Sequence, residues 1–106
     1  MPYRRSFGSD VKALLRKLLL GYRSYFSNDV LNSEGRKIFE ETVRMLIYEH
    51  PEFKPIIRKT RRNPTIDNVL KVAKLVLGDE EVERLFLIAT RGYFRFWISN
   101  NSASPY

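Results

Sequence analysis

The 106-residue chain contains no cysteine and only one histidine, His50. Without cysteine, disulfide bonds, thiolate metal sites and cysteine nucleophiles are excluded, and a single histidine is too few for a histidine-based metal site. Glutamine is also missing, while Arg, Lys, Glu, Val and Ile are abundant, a composition typical of proteins from hyperthermophiles. No glycine-rich phosphate loop and no nucleophile-elbow motif is present. We therefore expect neither a metal nor a cofactor.

Long apolar segments are missing as well. The longest leucine run, Leu18 to Leu20, follows Arg16 and Lys17 and is far too short and too charged to cross a bilayer or to form a signal peptide. The length of the chain instead suits one domain with a single core. We expect an intracellular protein, cytoplasmic or associated with a virion or nucleoprotein, with no membrane partner.

Acidic residues are scarce relative to basic ones, with 12 Asp and Glu against 19 Lys and Arg and a net charge of +7. The excess is most concentrated from Lys54 to Arg62, where nine residues hold five cations and no acid. Because like charges repel one another, such a concentration favours a polyanionic partner, above all nucleic acid. The alternative is a solvated loop whose charges only aid solubility.

Apolar residues recur at three- and four-residue spacing along most of the chain, which predicts amphipathic helices. We predict a first helix capped by Ser9 and extending to Phe26, with a turn at residues 27–29. Asn32 or Ser33 is expected to cap the second helix, which Pro51 ends.

Beyond the basic connector at residues 54–62, Thr65 is expected to cap a third helix and Gly78 to end it. Asp79 then begins a last segment with two interpretations. In the helical one, a stripe of seven apolar residues follows a single period: Val82, Leu85, Phe86, Ala89, Tyr93, Phe96 and Trp97. In the other, residues 85–90 and 93–99 are two strands joined at Arg91-Gly92.

The helical interpretation is preferred because the two runs do not alternate as strands do. The predicted fold is all-α, a compact bundle of four to five helices in two helical hairpins joined by the basic connector. The alternative is an α+β fold with a C-terminal β-hairpin wing. The predicted organisation is a flexible basic arm at residues 1–8, a single helical domain at 9–99 and a disordered tail at 100–106.

Leu87, Phe94 and Ile98 form a second apolar row on the last helix. A helix that is apolar on two sides is either central to its own bundle or covered by another copy of the protein. We therefore predict self-association through these three residues.

The charge pattern predicts non-catalytic binding of DNA or RNA through the backbone, as in a packaging, nucleocapsid or ribonucleoprotein small subunit. Tyr3 and Phe7 of the arm are expected to be free to stack on bases. A helix-turn-helix is disfavoured because the helix that would read the bases begins with four acids in its first five residues. The predicted nucleic-acid-binding residues are Arg58, Lys59, Arg61, Arg62, Arg4, Arg5, Lys12 and Arg16.

Arg44 and His50 are separated by five residues near the end of the second helix. This spacing resembles the R-x4-6-H signature of HEPN-domain ribonucleases, which are all-helical proteins of about this size that act on RNA at a dimer interface. The resemblance implies that His50 transfers a proton and that Arg44 stabilises the charged phosphate. A structural role for His50 at the helix end is the alternative. A further alternative is a protein-interaction subunit, which the row at Leu87 favours.

Overall fold

The computed structural model describes the backbone of residues 7–102 and the side chains of residues 7–91. Arg4 and Arg5 lie outside the described residues, as does the end of the predicted tail. The elements in chain order are α1 (Ser9–Leu20), α2 (Tyr22–Tyr25), β1 (Phe26–Ser27), β2 (Val30–Leu31), α3 (Ser33–Glu49), a 3-10 turn (Pro51–Phe53), α4 (Lys54–Arg62), α5 (Ile66–Leu77) and α6 (Asp79–Ser102).

The predicted all-α bundle is confirmed. Helix α1 packs against α3, α5 packs against α6, and the contact of α1 with α6 joins these two hairpins. Apolar stripes on the helices supply the core, because burying one face of each amphipathic helix is the main stabilising contribution. The largest fully buried side chains include Phe39, Leu15, Leu18, Leu19, Leu46 and Ile57. None of the helices within residues 7–102 combines the length and the apolar character needed to cross a bilayer.

Helix α6 is continuous over the segment that had two interpretations, so the C-terminal hairpin wing is wrong. The apolar residues follow the helical period, since Val82 and Ala89 are both buried on one side of α6. The helix runs to Ser102, three residues beyond the predicted domain boundary at residue 99. No proline or glycine interrupts residues 93–102, which is consistent with the extension.

Most of the predicted helix ends are confirmed. The Asn32 side chain accepts a hydrogen bond from the Gly35 amide at 2.9 Å, and α3 ends at Glu49, before Pro51. Thr65 accepts from the Asn68 amide at 3.3 Å. The expected cap at Ser9 is wrong, because Gly8 holds the N-cap position and Ser9 is already helical.

The predicted single first helix is also wrong in its second half. Helix α1 ends at Leu20, and Gly21 separates it from the one-turn helix α2. A short β-hairpin with a two-residue turn follows, in which Phe26 pairs with Leu31. The turn residues Asn28 and Asp29 have φ values of 53° and 63°. Asn and Asp tolerate this left-handed conformation, which two-residue hairpin turns require.

Candidate nucleic-acid interface

The basic connector is itself a helix, α4, with an apolar side and a cationic side. Ile57 and Thr60 are buried, and Phe53 in the preceding turn is also part of the core. This packing fixes the rotation of α4 about its axis and directs its charged residues outward. The basic face of α4 is defined by five exposed residues: Lys54, Arg58, Lys59, Arg61 and Arg62.

Arg61 differs from the other four, because it forms a two-bond ion pair with Glu40 of α3. Its Nε lies 3.0 Å from Glu40 Oε2 and its Nη2 lies 2.9 Å from Oε1. Lys54, Arg58, Lys59 and Arg62 form no ion pair with any described residue. Of the four connector residues predicted to bind nucleic acid, three thus have no ion-pair partner among the described residues, and the fourth, Arg61, is paired with a carboxylate.

Arg16 and Lys12 of the predicted second set lie at the contact of α1 with α6 and not on this face, whereas Arg4 and Arg5 lie outside the described residues. Arg16 of α1 pairs with Glu81 in the first turn of α6, with Nε 2.6 Å from Oε2. The hydrogen bond from Arg16 holds the pKa of Glu81 below its ordinary value and raises the pKa of Arg16. Lys12 is half-buried, and its charge also lowers the pKa of Glu81. Arg16 therefore links α1 to α6, and Lys12 contributes to the electrostatics of that contact.

Arg44 and Tyr48 lie on the exposed side of α3, one and two helical turns after Glu40. Together with Gly8 and Val11 at the start of α1, they line an open cavity of about 500 Å³. Sequence reasoning missed Tyr48, although its position contains a signal. It falls about 200° around the helix from the buried Leu46, so it cannot belong to the apolar stripe.

His50 is not brought into that cavity with Arg44. Its ring packs against Phe7 and Phe53, with centroid separations of 4.7 and 5.8 Å, and its Nδ1 lies 3.5 Å from a carboxylate oxygen of Glu52. Arg44 is exposed and faces the start of α1. Phe7, which was expected to be free to stack on bases, is instead half-buried against these rings.

Of the predicted self-association row, Leu87 is exposed. Leu87 is 51% exposed, and Ile88 beside it, which the sequence did not single out, is 38% exposed. The side chains of Phe94 and Ile98 lie outside the described residues.

The chain matches no protein-family model, no curated protein and no solved structure. In the part of the chain with described side chains, no three His, Asp or Glu residues converge as metal ligands would.

Proposed function

We propose that this protein binds DNA or RNA through the phosphate backbone, without catalysis, by the basic face of α4. The observation that carries the proposal is that four of the five cations on this face have no ion-pair partner among the described residues. Like charges spaced three and four residues apart on a helix repel one another. A polyanion relieves that repulsion, and it releases its condensed counterions on binding.

The composition of the face suits backbone contacts. Lys54, Arg58, Lys59 and Arg62 offer only donors, which match the phosphate oxygens of any sequence. No Asn or Gln lies among residues 54–62 to pair with an adenine edge, so the face could read no base other than guanine in this way. The inner side of α4 is packed on the core through Ile57, so the helix presents one flank and not its whole circumference. Four phosphate contacts correspond to a slope of about −4 in log K against log salt for duplex DNA.

The test is fluorescence anisotropy of labelled single- and double-stranded DNA and RNA over a series of salt concentrations. The double variant Arg58→Ala/Arg62→Ala should weaken binding to all sequences alike and flatten the slope by about two, because each lost phosphate contact removes roughly one. The matched control is Lys17→Ala/Arg84→Ala, which removes two exposed cations from α1 and α6. Equal slopes for the two double variants would rule out α4 as the binding face.

The same experiment separates binding from the ribonuclease alternative. If the RNA label is shortened by the wild-type protein and stays intact with His50→Ala, then the HEPN-like role of Arg44 and His50 is correct and the non-catalytic proposal is wrong. An intact label with steep salt dependence supports binding alone.

A second proposal is self-association through α6, supported by the exposed Leu87 and Ile88. Pairing of two copies would cover this apolar surface, and it would present two basic faces to one polymer. Two linked binding faces raise the apparent affinity without any new contact, provided that both can engage at once.

A further inference from the structure

Tyr48 is the one exposed aromatic side chain in residues 7–91, with 88% of its surface open to solvent. The other aromatic residues with described side chains are buried or half-buried. Tyrosine normally buries most of its ring when a core is within reach, since the ring is a large apolar surface. On α3 the core is reached from the opposite side, by Phe39 and Leu46. Tyr48 therefore contributes little to folding and is available to a ligand.

The surroundings of Tyr48 connect it to the basic face of α4. Arg44 precedes it by one helical turn, and Glu40, which holds Arg61, precedes it by two. Eight residues of helix span about 12 Å along the axis. A strand whose phosphates lie on the basic face therefore needs to extend only a short way along α3 to reach Arg44 and then Tyr48.

The acidic residues near the cavity determine which part of a nucleotide can enter it. Asp10 and Glu49 both line the cavity, and their negative charges repel phosphate. Among the described residues, Arg44 is the only cation on its lining. The arrangement suits a base that lies over the Tyr48 ring while its phosphate stays on the outer side, against the Arg44 guanidinium.

We infer that Tyr48 and Arg44 bind an unpaired nucleotide, so that the preferred polymer is single-stranded. In a duplex both faces of each base are covered by its neighbours, whereas an unpaired base can stack on an aromatic ring. This inference rests on the proposed function, because the basic face of α4 supplies the neighbouring phosphate contacts. It adds a preference for unpaired bases that charge alone does not give.

The test compares Tyr48→Ala with Tyr48→Phe in the full-length chain, using a labelled single strand and a duplex of the same length. Tyr48→Ala should weaken single-strand binding by about 5- to 160-fold, the range for the loss of one base–aromatic stack. Tyr48→Phe keeps the ring and should bind as the wild type does. Duplex affinity should change by less than about two-fold with either variant, because a paired base offers no face to the ring.

Two further variants separate this inference from simpler explanations. Leu75→Ala removes another exposed apolar side chain, on α5, and should leave both affinities unchanged. Arg44→Ala should weaken single-strand binding and lower its salt slope by about one, with little change for the duplex, because Arg44 holds the phosphate of the unpaired nucleotide. Equal losses on both polymers with Tyr48→Ala, or no loss on either, would overturn the stacking role. The proposed function is tested separately, because the double variant Arg58→Ala/Arg62→Ala measures the contribution of α4 to the salt slope without changing the Tyr48 ring.

Discussion

At the scale of single residues, the ion pair with Glu40 occupies Arg61, one of the five cations on the basic face of α4. Both partners of the pair are about half-exposed, at 44% and 43%, so the pair stabilises the fold by at most about 1 kcal/mol. We predict that Glu40→Gln increases nucleic-acid affinity and steepens the salt slope by about one, because it removes a negative charge and releases Arg61 for a phosphate contact. Anisotropy titrations over a salt series measure both effects.

Glu41→Gln is the matched control for this prediction. Glu41 is exposed, forms no ion pair with a described residue and lies next to Glu40, so the change in net charge is the same. It should raise affinity slightly and leave the slope unchanged. If both variants behave identically, Arg61 is not withheld by Glu40 and only net charge matters.

At the scale of the elements, Gly35 determines how closely the start of α3 approaches the end of α2. A Cβ atom at this position would lie 2.3 Å from the Tyr25 carbonyl oxygen and 2.9 Å from a methyl carbon of Leu31. Helix propensity alone favours Gly→Ala by about 1 kcal/mol. We predict the opposite sign here, a loss of about 1 to 3 kcal/mol for Gly35→Ala, because the backbone must move to relieve the overlap.

Urea unfolding followed by circular dichroism measures that loss, with Ser33→Ala as the control. Ser33 occupies the same first turn but is exposed, so its replacement should change the free energy of unfolding by less than about 0.5 kcal/mol. A Gly35→Ala protein more stable than the wild type would show that the close approach to Tyr25 does not exist in solution.

The elements also show which features the sequence could reveal. Caps such as Asn32 and Thr65 were predictable, because each depends on atoms within three residues. The hairpin after α2 was not predictable, because residues 22 to 26 continue the helical spacing of apolar residues that begins in α1. Its strands are held by distant partners instead, with the Leu31 amide donating to the Pro64 carbonyl at 3.0 Å and the Ile66 amide to the Asp29 carbonyl at 2.8 Å.

In the candidate site, too, some features could be predicted from the sequence and others could not. The basic face of α4 was visible as a run of like charges, because its members are consecutive along the chain. The partners of Arg61 and Arg16 could not be predicted, because they lie 21 and 65 residues away along the chain and depend on how the helices are oriented in the bundle. Tyr48 was overlooked because an aromatic residue on an amphipathic helix usually belongs to the core.

At the scale of the whole molecule, the exposed residues between positions 80 and 91 of α6 would be self-complementary if two copies paired antiparallel. Glu80 and Glu83 precede the exposed Leu87, and Arg91 follows it. Pairing centred on Leu87 places Glu83 of one copy opposite Arg91 of the other, at both ends of the contact. A parallel pair would instead oppose like charges along its length, which is unfavourable. Lys74 approaches Glu83 only to 3.9 Å, and the Glu83 side chain remains largely open.

We predict that the wild type is a dimer, that Leu87→Asp is a monomer, and that the monomer binds long single strands more weakly, because it loses the second basic face. Sedimentation equilibrium measures the mass, and Leu75→Asp, at an exposed apolar position of α5, should leave it unchanged.

Charge reversal tests whether the two copies of α6 run antiparallel. Glu83→Arg and Arg91→Glu should each weaken the dimer, whereas the double variant restores it, because both ion pairs are reversed together. A double variant no stronger than either single one would exclude the antiparallel arrangement, and a monomeric wild type would show that Leu87 is simply an exposed surface residue.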